Sequence, residues 1–215
     1  MTRSLFITFE GTDGCGKTTQ MRRLAARLRA EGRPVVETVE PGGTAIGSRI
    51  RAILLDPASR ELSAAAELLL YFASRAQNVD ECICPALARG EIVLCDRFTD
   101  STLVYQGAGR GLGRDAVLSL DAIACRGVVP DLTVLLDIDL ETSLARARER
   151  NRKGSSETRM DDQSVEFHRR VRDSYLELAA AEPARFRVID ARRDPESIAE
   201  AVAAVVRPLV EARRD

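Results

Sequence analysis

Eight residues near the start of the chain have the types and spacing of a phosphate-binding loop. Residues 11–18 read GTDGCGKT and fit the pattern G-x-x-x-x-G-K-[S/T]. The glycines would let backbone N–H groups wrap closely around a phosphate at the positive end of a helix. Lys17 would add positive charge near the outer phosphates, and the Thr18 hydroxyl could ligate magnesium. We therefore expect a nucleoside triphosphate to bind Gly11, Thr12, Asp13, Gly14, Cys15, Gly16, Lys17, Thr18 and Thr19.

The surrounding pattern supplies the elements that this loop needs. Residues 5–9 form an apolar run that predicts a buried strand, and residues 19–30 have apolar side chains at helical spacing. Further strands are predicted at 35–39, 92–95, 132–138 and 186–189. Helical patterns lie between them, among others at 63–88, 140–149 and 161–181. Such alternation predicts a parallel sheet with helices on both faces. We expect residues 1–215 to form a single P-loop α/β domain.

The composition excludes several classes of function. With 45% apolar and 30% charged residues and a net charge of −1, the chain gives no reason to expect nucleic acid or membranes as partners. We see no signal peptide and no membrane span. Five cysteines, an odd number without metal-ligand spacing, argue against a disulfide framework or a zinc site. These features favour a cytoplasmic location.

A second set of chemically able residues follows the third predicted strand. The apolar run at 92–95 delivers Asp96 to the carboxyl edge of the sheet, where ligands bind in parallel α/β folds. Arginines also concentrate at predicted strand ends and loops. The chain lacks the Asn-Lys-x-Asp motif that reads guanine and has no room for a mechanical domain. This combination favours a small kinase over a GTPase or a motor.

Residues 96–110 read DRFTDSTLVYQGAGR, which resembles the D-R-[FYH]-x-x-S-[TN]-x-A-Y-Q-G-x-G-R signature of thymidylate kinases. Four other stretches resemble that family in the same order, at 40–44, 75–77, 130–132 and 175–178. The resemblance implies the P-loop fold of the nucleoside monophosphate kinases, a parallel sheet sandwiched by helices. It also implies phosphoryl transfer from ATP to dTMP with Mg²⁺, in dTTP biosynthesis, by a homodimer.

The resemblance assigns roles to the reacting groups. Asp13 would approach the 3′-hydroxyl of the acceptor, and Arg97 would grip its phosphate with a guanidinium fork. Asp96 would join Thr18 in holding magnesium. Lys17 completes this expected catalytic set on the donor side.

The acceptor pocket follows from the same resemblance. Arg75 would lie near the thymine carbonyl, and Tyr71 would stack on the base, or Phe72 if the register slips. Tyr105 would crowd the 2′ position and so favour deoxyribose. The other expected acceptor contacts are Glu40, Pro41, Arg51, Ser101, Thr102 and Gln106.

A basic, glycine-containing stretch at about 148–160 is either a solvated surface or a mobile lid. Some thymidylate kinases carry an arginine in the phosphate loop where this chain has Gly14. The resemblance therefore implies that the lid supplies the positive charge that phosphoryl transfer requires. Arg152 and Arg159 are both candidates, and the sequence does not choose between them.

Two alternatives stay open at this stage: another nucleoside monophosphate kinase, or a nucleotide-binding regulatory module without transfer activity. The helical patterns also predict which side chains are buried or exposed. His168 falls among charged residues, so we expect it to be exposed and to have no catalytic role. The side chains expected inside are Ile46, Ile50, Ile53, Leu54, Leu68, Leu69 and Phe72.

Overall fold

A computed structural model describes residues 4–152 and 158–213 and contains one parallel sheet. Within these residues the sheet has five strands in the order β2-β3-β1-β4-β5. Every neighbouring pair is parallel, as the alternating sequence pattern predicts. The strands are β1 (Leu5–Glu10), β2 (Val35–Val39), β3 (Ile92–Asp96), β4 (Leu132–Asp137) and β5 (Phe186–Asp190).

Helices connect the strands and cover both faces of the sheet. Polar side chains cap several of them; Thr44, Ser63, Ser164 and Asp194 each accept a hydrogen bond from a backbone N–H of the first turn. The helices are α1 (Lys17–Ala30), α2 (Ala45–Leu55), α3 (Ala64–Asn78), α4 (Cys84–Ala88), α5 (Thr99–Thr102), α6 (Arg114–Cys125), α7 (Leu140–Arg152), α8 (Val165–Ala181) and α9 (Pro195–Glu211). A π-helical segment, Val79–Ile83, joins α3 to α4, and another, Leu103–Gly109, follows α5.

The core lies on both faces of the central strand. All six residues of β1 are buried, and successive side chains point to opposite faces. Ile7 packs in a cluster with residues of α1 and α9, whereas Phe6 packs with residues of α3 and α6. Burying each such side chain stabilises the fold by about 1.5–3 kcal/mol. This two-sided burial confirms the α/β sandwich.

The helix boundaries differ from expectation in three places. The long helix predicted at 63–88 is interrupted by the π-helical segment between α3 and α4. Helix α7 continues past residue 149 as far as Arg152. Helix α8 begins at Val165 rather than at 161, because Ser164 caps it by accepting a hydrogen bond from the backbone N–H of Phe167 at 3.2 Å.

Four predictions about exposure were wrong. His168 is only 2% exposed; its Nε2 lies 3.4 Å from the carbonyl oxygen of Asp161, in the loop that precedes α8. Ile46, Ile53 and Leu69 are about half exposed because α2 and α3 pack together through other faces. Among the described residues, no helix has the length and apolar character needed to cross a membrane.

Candidate active site

The phosphate-binding loop connects β1 to α1 and packs against α7. Gly11, Gly14 and Gly16 have φ angles of 136°, 78° and 96°, which favour glycine. A Cβ on Gly14 would lie 2.6 Å from the carbonyl oxygen of Ser143 in α7, so only glycine fits there. The Lys17 ammonium donates to the carbonyl oxygens of Gly11 at 3.0 Å and Thr12 at 2.8 Å. The loop therefore holds the Lys17 ammonium on its concave side.

A hydroxyl and a carboxylate meet beside this loop. Thr18, at the start of α1, donates a hydrogen bond to Asp96 at the end of β3. Hard oxygen ligands of this kind suit Mg²⁺, which is commonly bound by one or two protein groups together with waters and substrate phosphates. No cluster of three or more potential ligands among His, Cys, Asp and Glu exists in the described parts of the chain. The donor set therefore fits a substrate-bound magnesium ion.

Two cavities adjoin at this edge of the sheet. One, of about 690 Å³, is lined by the phosphate loop, Asp96 and the α7 residues Arg146 and Arg150. The other, of about 270 Å³, extends from the loop towards α3 and the segment that follows α5. Six residues line both cavities and so mark their junction: Asp13, Thr18, Glu40, Arg51, Arg97 and Arg150.

Arg97 lies at this junction with an unusual backbone conformation, a φ of 73°. Its Nη2 donates to Asp13 Oδ1 at 2.6 Å, and its guanidinium lies 5.0 Å from the ring centre of Tyr105. Burial favours a neutral Asp13, but Arg97 and Lys17 outweigh it and hold the pKa of that carboxyl well below its usual range. Both members of the pair are therefore charged at neutral pH.

A buried ion pair forms part of the wall of the smaller cavity. Arg75, 1% exposed, donates from Nε to Glu40 Oε2 at 2.6 Å and from Nη2 to Thr102 Oγ1 at 2.9 Å. Its guanidinium lies between the rings of Phe72 and Phe98, 4.8 and 5.0 Å from their centres. Burial raises the pKa of Glu40 even though Arg75 opposes that shift. Arg75 is thus held rigidly at the cavity surface.

The two aromatic candidates on α3 occupy different places. Tyr71 lines the smaller cavity, whereas Phe72 is buried in the core beneath Arg75. Burial raises the pKa of Tyr71 to about 12, so its hydroxyl stays protonated. The structure brings the other expected acceptor residues to the same cavity: Pro41, Arg51, Ser101, Thr102, Tyr105 and Gln106.

The expected lid arginines lie away from both cavities. Arg152 is exposed and pairs with Glu149 at 2.6 Å. Arg159 is buried, pairs with Glu67 at 2.7 Å and donates to the carbonyl oxygen of Leu54. By contrast, Arg146 and Arg150 follow each other by one turn of α7 and line the larger cavity. Residues 153–157 of the predicted lid lie outside the described residues.

Sequence reasoning missed the buried polar residues behind the site. Glu10, the last residue of β1, accepts hydrogen bonds from Ser101 and from the Tyr175 hydroxyl of α8. Glu67 of α3 accepts from Gln106 at 2.8 Å and from Arg110 at 3.1 Å. Only one signal was available in advance: Glu10 is an acidic residue at the end of an apolar strand, directly before the loop.

A parallel sheet that leads into a phosphate loop, with a second cavity beside it, defines this chain as a P-loop protein with the fold of the nucleoside monophosphate kinases. The family model described as thymidylate kinase matches residues 9–202. The thymidylate kinase of Solidesulfovibrio magneticus is 54% identical over 209 residues, which cover 96% of this chain and 100% of that protein.

Other comparisons agree. The thymidylate kinase of Geobacter sulfurreducens is 54% identical over 203 residues, covering 94% of this chain and 95% of that protein. The crystal structure of thymidylate kinase from Ehrlichia chaffeensis has a TM-score of 0.75 and 34% identity, covering 94% of this chain and 98% of that one. The chain belongs to the thymidylate kinase family and is a kinase.

Proposed function

We propose that the chain transfers the γ-phosphoryl group of ATP to dTMP, giving dTDP and ADP in the pathway to dTTP. The observation that carries this proposal is the charged Arg97–Asp13 pair at the junction of the two cavities. An acceptor phosphate bound there would face the outer phosphate of a triphosphate on the loop. Family membership supports the same reaction.

On the donor side, the backbone of residues 11–19 would bind the triphosphate, with Lys17 as its cation. Thr18 and Asp96 would hold Mg²⁺, which when bound would neutralise charge on the phosphates. The Lys17 ammonium donates to carbonyl oxygens of the loop, so it already lies on the concave side of the loop, where a phosphate would bind. No protein base is needed, because the acceptor phosphate is itself a competent nucleophile.

On the acceptor side, we assign the smaller cavity to the thymidine nucleotide. Tyr71 would stack on the base, Arg75 would donate to a thymine carbonyl, and Tyr105 would leave no space for a 2′-hydroxyl. Arg75 is already fixed by Glu40 and Thr102, so it would lose little conformational freedom on binding. Thr102 and Gln106 line the same cavity and would contact base and sugar edges, with Arg51 adding charge near the phosphate.

We assign Arg150 as the cationic side chain that faces the transferred phosphoryl group, with Arg146 beside it. Arg150 lines both cavities, and its Nη2 lies 2.5 Å from Asp161 Oδ2, which holds the side chain on the site side of α7. Arg152 and Arg159 would have to leave Glu149 and Glu67 to reach the same place. A cation there would stabilise charge that develops on the moving phosphoryl group.

We also propose a single kinase domain that works as a cytoplasmic homodimer. Helix α3 packs between α2 and α6, and all three present large apolar side chains outwards. Large apolar side chains exposed on three neighbouring helices are typical of an interface. Sedimentation equilibrium with Leu69→Glu would test the dimer, since a charge at its centre would dissociate it. The side chains concerned are Ile46, Ile53, Leu69, Leu118 and Ile123.

The function is tested by coupled ADP release with ATP and Mg²⁺ against dTMP, dUMP, UMP, dGMP and AMP in separate reactions. We expect dTMP to dominate and UMP to stay near background. Lys17→Ala and Arg97→Ala should lose most of the activity with an unchanged far-UV circular dichroism spectrum. Preference for another monophosphate would indicate a different nucleotide kinase. Slow ATP hydrolysis that no monophosphate changes would indicate a regulatory module.

A further inference from the structure

Directly behind Arg97 lies a carboxylate with three hydrogen-bond donors around it. Glu10 is fully buried at the end of β1. Its Oε1 accepts from the backbone N–H of Phe98 at 2.8 Å. Its Oε2 accepts from the hydroxyls of Ser101 at 2.6 Å and Tyr175 at 2.7 Å.

Each of these three donors also contacts Arg97 or is covalently joined to it. The Ser101 and Tyr175 hydroxyls lie 3.1 and 3.3 Å from Arg97 Nη1 and 2.8 Å from each other. The Phe98 N–H belongs to the peptide that follows Arg97, whose φ of 73° turns the chain at this point. Glu10 therefore reaches both the side chain and the backbone of Arg97 through its immediate neighbours.

The two ends of the guanidinium have different partners. Nη1 faces the Glu10 cluster and the carbonyl oxygen of Gly11 at 3.1 Å, whereas Nη2 donates to Asp13 at 2.6 Å. An arriving phosphate could therefore exchange with Asp13 at Nη2 while Nη1 keeps its contacts. The inner half of the fork would stay anchored during the exchange.

A second buried carboxylate near Glu10 is already neutralised. Asp100 receives two hydrogen bonds from Arg185, at 2.6 and 3.0 Å. Among the described residues, no arginine or lysine forms an ion pair with Glu10. Its charge is balanced by the three hydrogen-bond donors and, beyond Ser101 and Tyr175, by the Arg97 guanidinium. Burying a carboxylate this way is costly, and a neutral side chain would fill the space without that cost. The carboxylate is therefore suited to a task that a neutral group would perform less well.

We propose that Glu10 is a positioning residue for phosphoryl transfer: through Ser101, Tyr175 and the Phe98 amide it fixes the Arg97 guanidinium at the junction of the two cavities. This inference rests on the proposed function, in which Arg97 binds the acceptor phosphate. It predicts that Glu10 affects turnover although it touches neither substrate.

The decisive experiment is a double-mutant cycle between Glu10→Gln and Arg97→Ala, read as kcat and as KM for each substrate. Misplacement of Arg97 should lower kcat in Glu10→Gln by about 10²-fold and raise KM for dTMP. KM for ATP should change by no more than about twofold. In the Arg97→Ala background, Glu10→Gln should change kcat by no more than about twofold, because no guanidinium remains to be positioned.

The matched control is Asp137→Asn, which removes a carboxylate from the end of the neighbouring strand β4. Asp137 pairs with Arg172 at 2.8 Å and lines neither cavity. The inference is overturned if Glu10→Gln behaves like this control, or if its effect persists undiminished in Arg97→Ala. If Arg97→Ala itself phosphorylates dTMP normally, the proposed role of Arg97 fails as well, so the two failures are distinguishable.

Two further readouts separate positioning from a role in folding. Tyr175→Phe keeps the buried shape and charge but removes one link, and it should lower kcat by about tenfold only when Arg97 is present. Burial and the charge of Asp100, opposed by Arg97, raise the pKa of Glu10 to about 7. The wild-type kcat should therefore decline below pH 7, in a step that Glu10→Gln lacks. Superimposable pH profiles for the two proteins, or a Tyr175→Phe effect independent of Arg97, would refute the proposal.

Discussion

A single methyl group added at Gly14 should separate the phosphate loop from α7. The Cβ of Gly14→Ala would meet the Ser143 carbonyl oxygen at 2.6 Å, and the Cβ of Arg146 at 3.0 Å. Backbone cannot yield as a flexible side chain does, so α7 must shift. Ser143 also donates from Oγ to the carbonyl oxygen of Asp13 at 2.5 Å, and that bond would be strained by the same movement.

The expected magnitude has two parts. A non-glycine residue at a φ of 78° costs about 1–2 kcal/mol, and overpacking adds about 1–3 kcal/mol. Gly32→Ala is the matched control, because Gly32 has a φ of 76° but nothing within 4 Å of its added Cβ. We expect Gly14→Ala to lose about 1–3 kcal/mol more unfolding free energy than Gly32→Ala.

The assay combines stability with turnover. The chain has no tryptophan, so urea unfolding is followed by far-UV circular dichroism, with a reductant for the five cysteines. Because α7 carries Arg146 and Arg150, its displacement by about 1 Å should also lower kcat by about 10²-fold in Gly14→Ala alone. Equal unfolding free energies and equal kcat for the two alanine variants would refute the close packing of loop and helix.

Three other predictions concern charged groups at and behind the site. Arg150→Ala should lower kcat by about 10²–10³-fold, well beyond the effect of Arg152→Ala, in steady-state assays; the reverse order would move the assignment to Arg152. Arg75→Met should cost about 3–5 kcal/mol in urea unfolding because it leaves Glu40 buried without its cation, and Arg75→Met with Glu40→Gln should recover part of the loss. The pKa of Glu10 is raised from 4.5 to about 7, so the folded protein holds this proton more tightly than the unfolded chain, and the unfolding free energy should fall as pH rises through that window. Glu10→Gln should remove about 3 kcal/mol of this decline. If the unfolding free energy falls with pH as steeply in Glu10→Gln as in the wild type, the raised pKa of Glu10 is contradicted.

The parts of the molecule that the sequence predicts are those encoded locally. The loop at 11–18 carries its chemistry in eight consecutive residues, and the strands appear as uninterrupted apolar runs. Glu10 and Tyr175 lie 165 residues apart and become neighbours only when α8 packs against the sheet. No local pattern reports such a contact, and the acidic residue at the end of the first apolar strand is the one hint of it in the sequence.

The errors in exposure have a different origin. The sequence pattern predicts that Ile46, Ile53 and Leu69 are buried, because an apolar side chain at helical spacing usually faces the core. Hydrophobicity alone does not tell a core from a surface that a second subunit would cover. The sequence could not rank the arginines of this region for a related reason, since spacing along α7 puts Arg150 on one face and Arg152 on another without saying which face meets the cavities.

The register of the strands explains why Arg97 lies beside the phosphate loop. Parallel pairing sets Phe9 opposite Asp96, and the next residue, Arg97, donates from its backbone N–H to the carbonyl oxygen of Phe9 at 3.0 Å. This contact brings Arg97 beside Gly11 at the start of the phosphate loop. A slip of one residue would turn Asp96 to the other face of the sheet and away from Thr18. The fully buried residues of β1 and β3 oppose such a slip. The apolar core therefore fixes the distance between Arg97 and the phosphate loop.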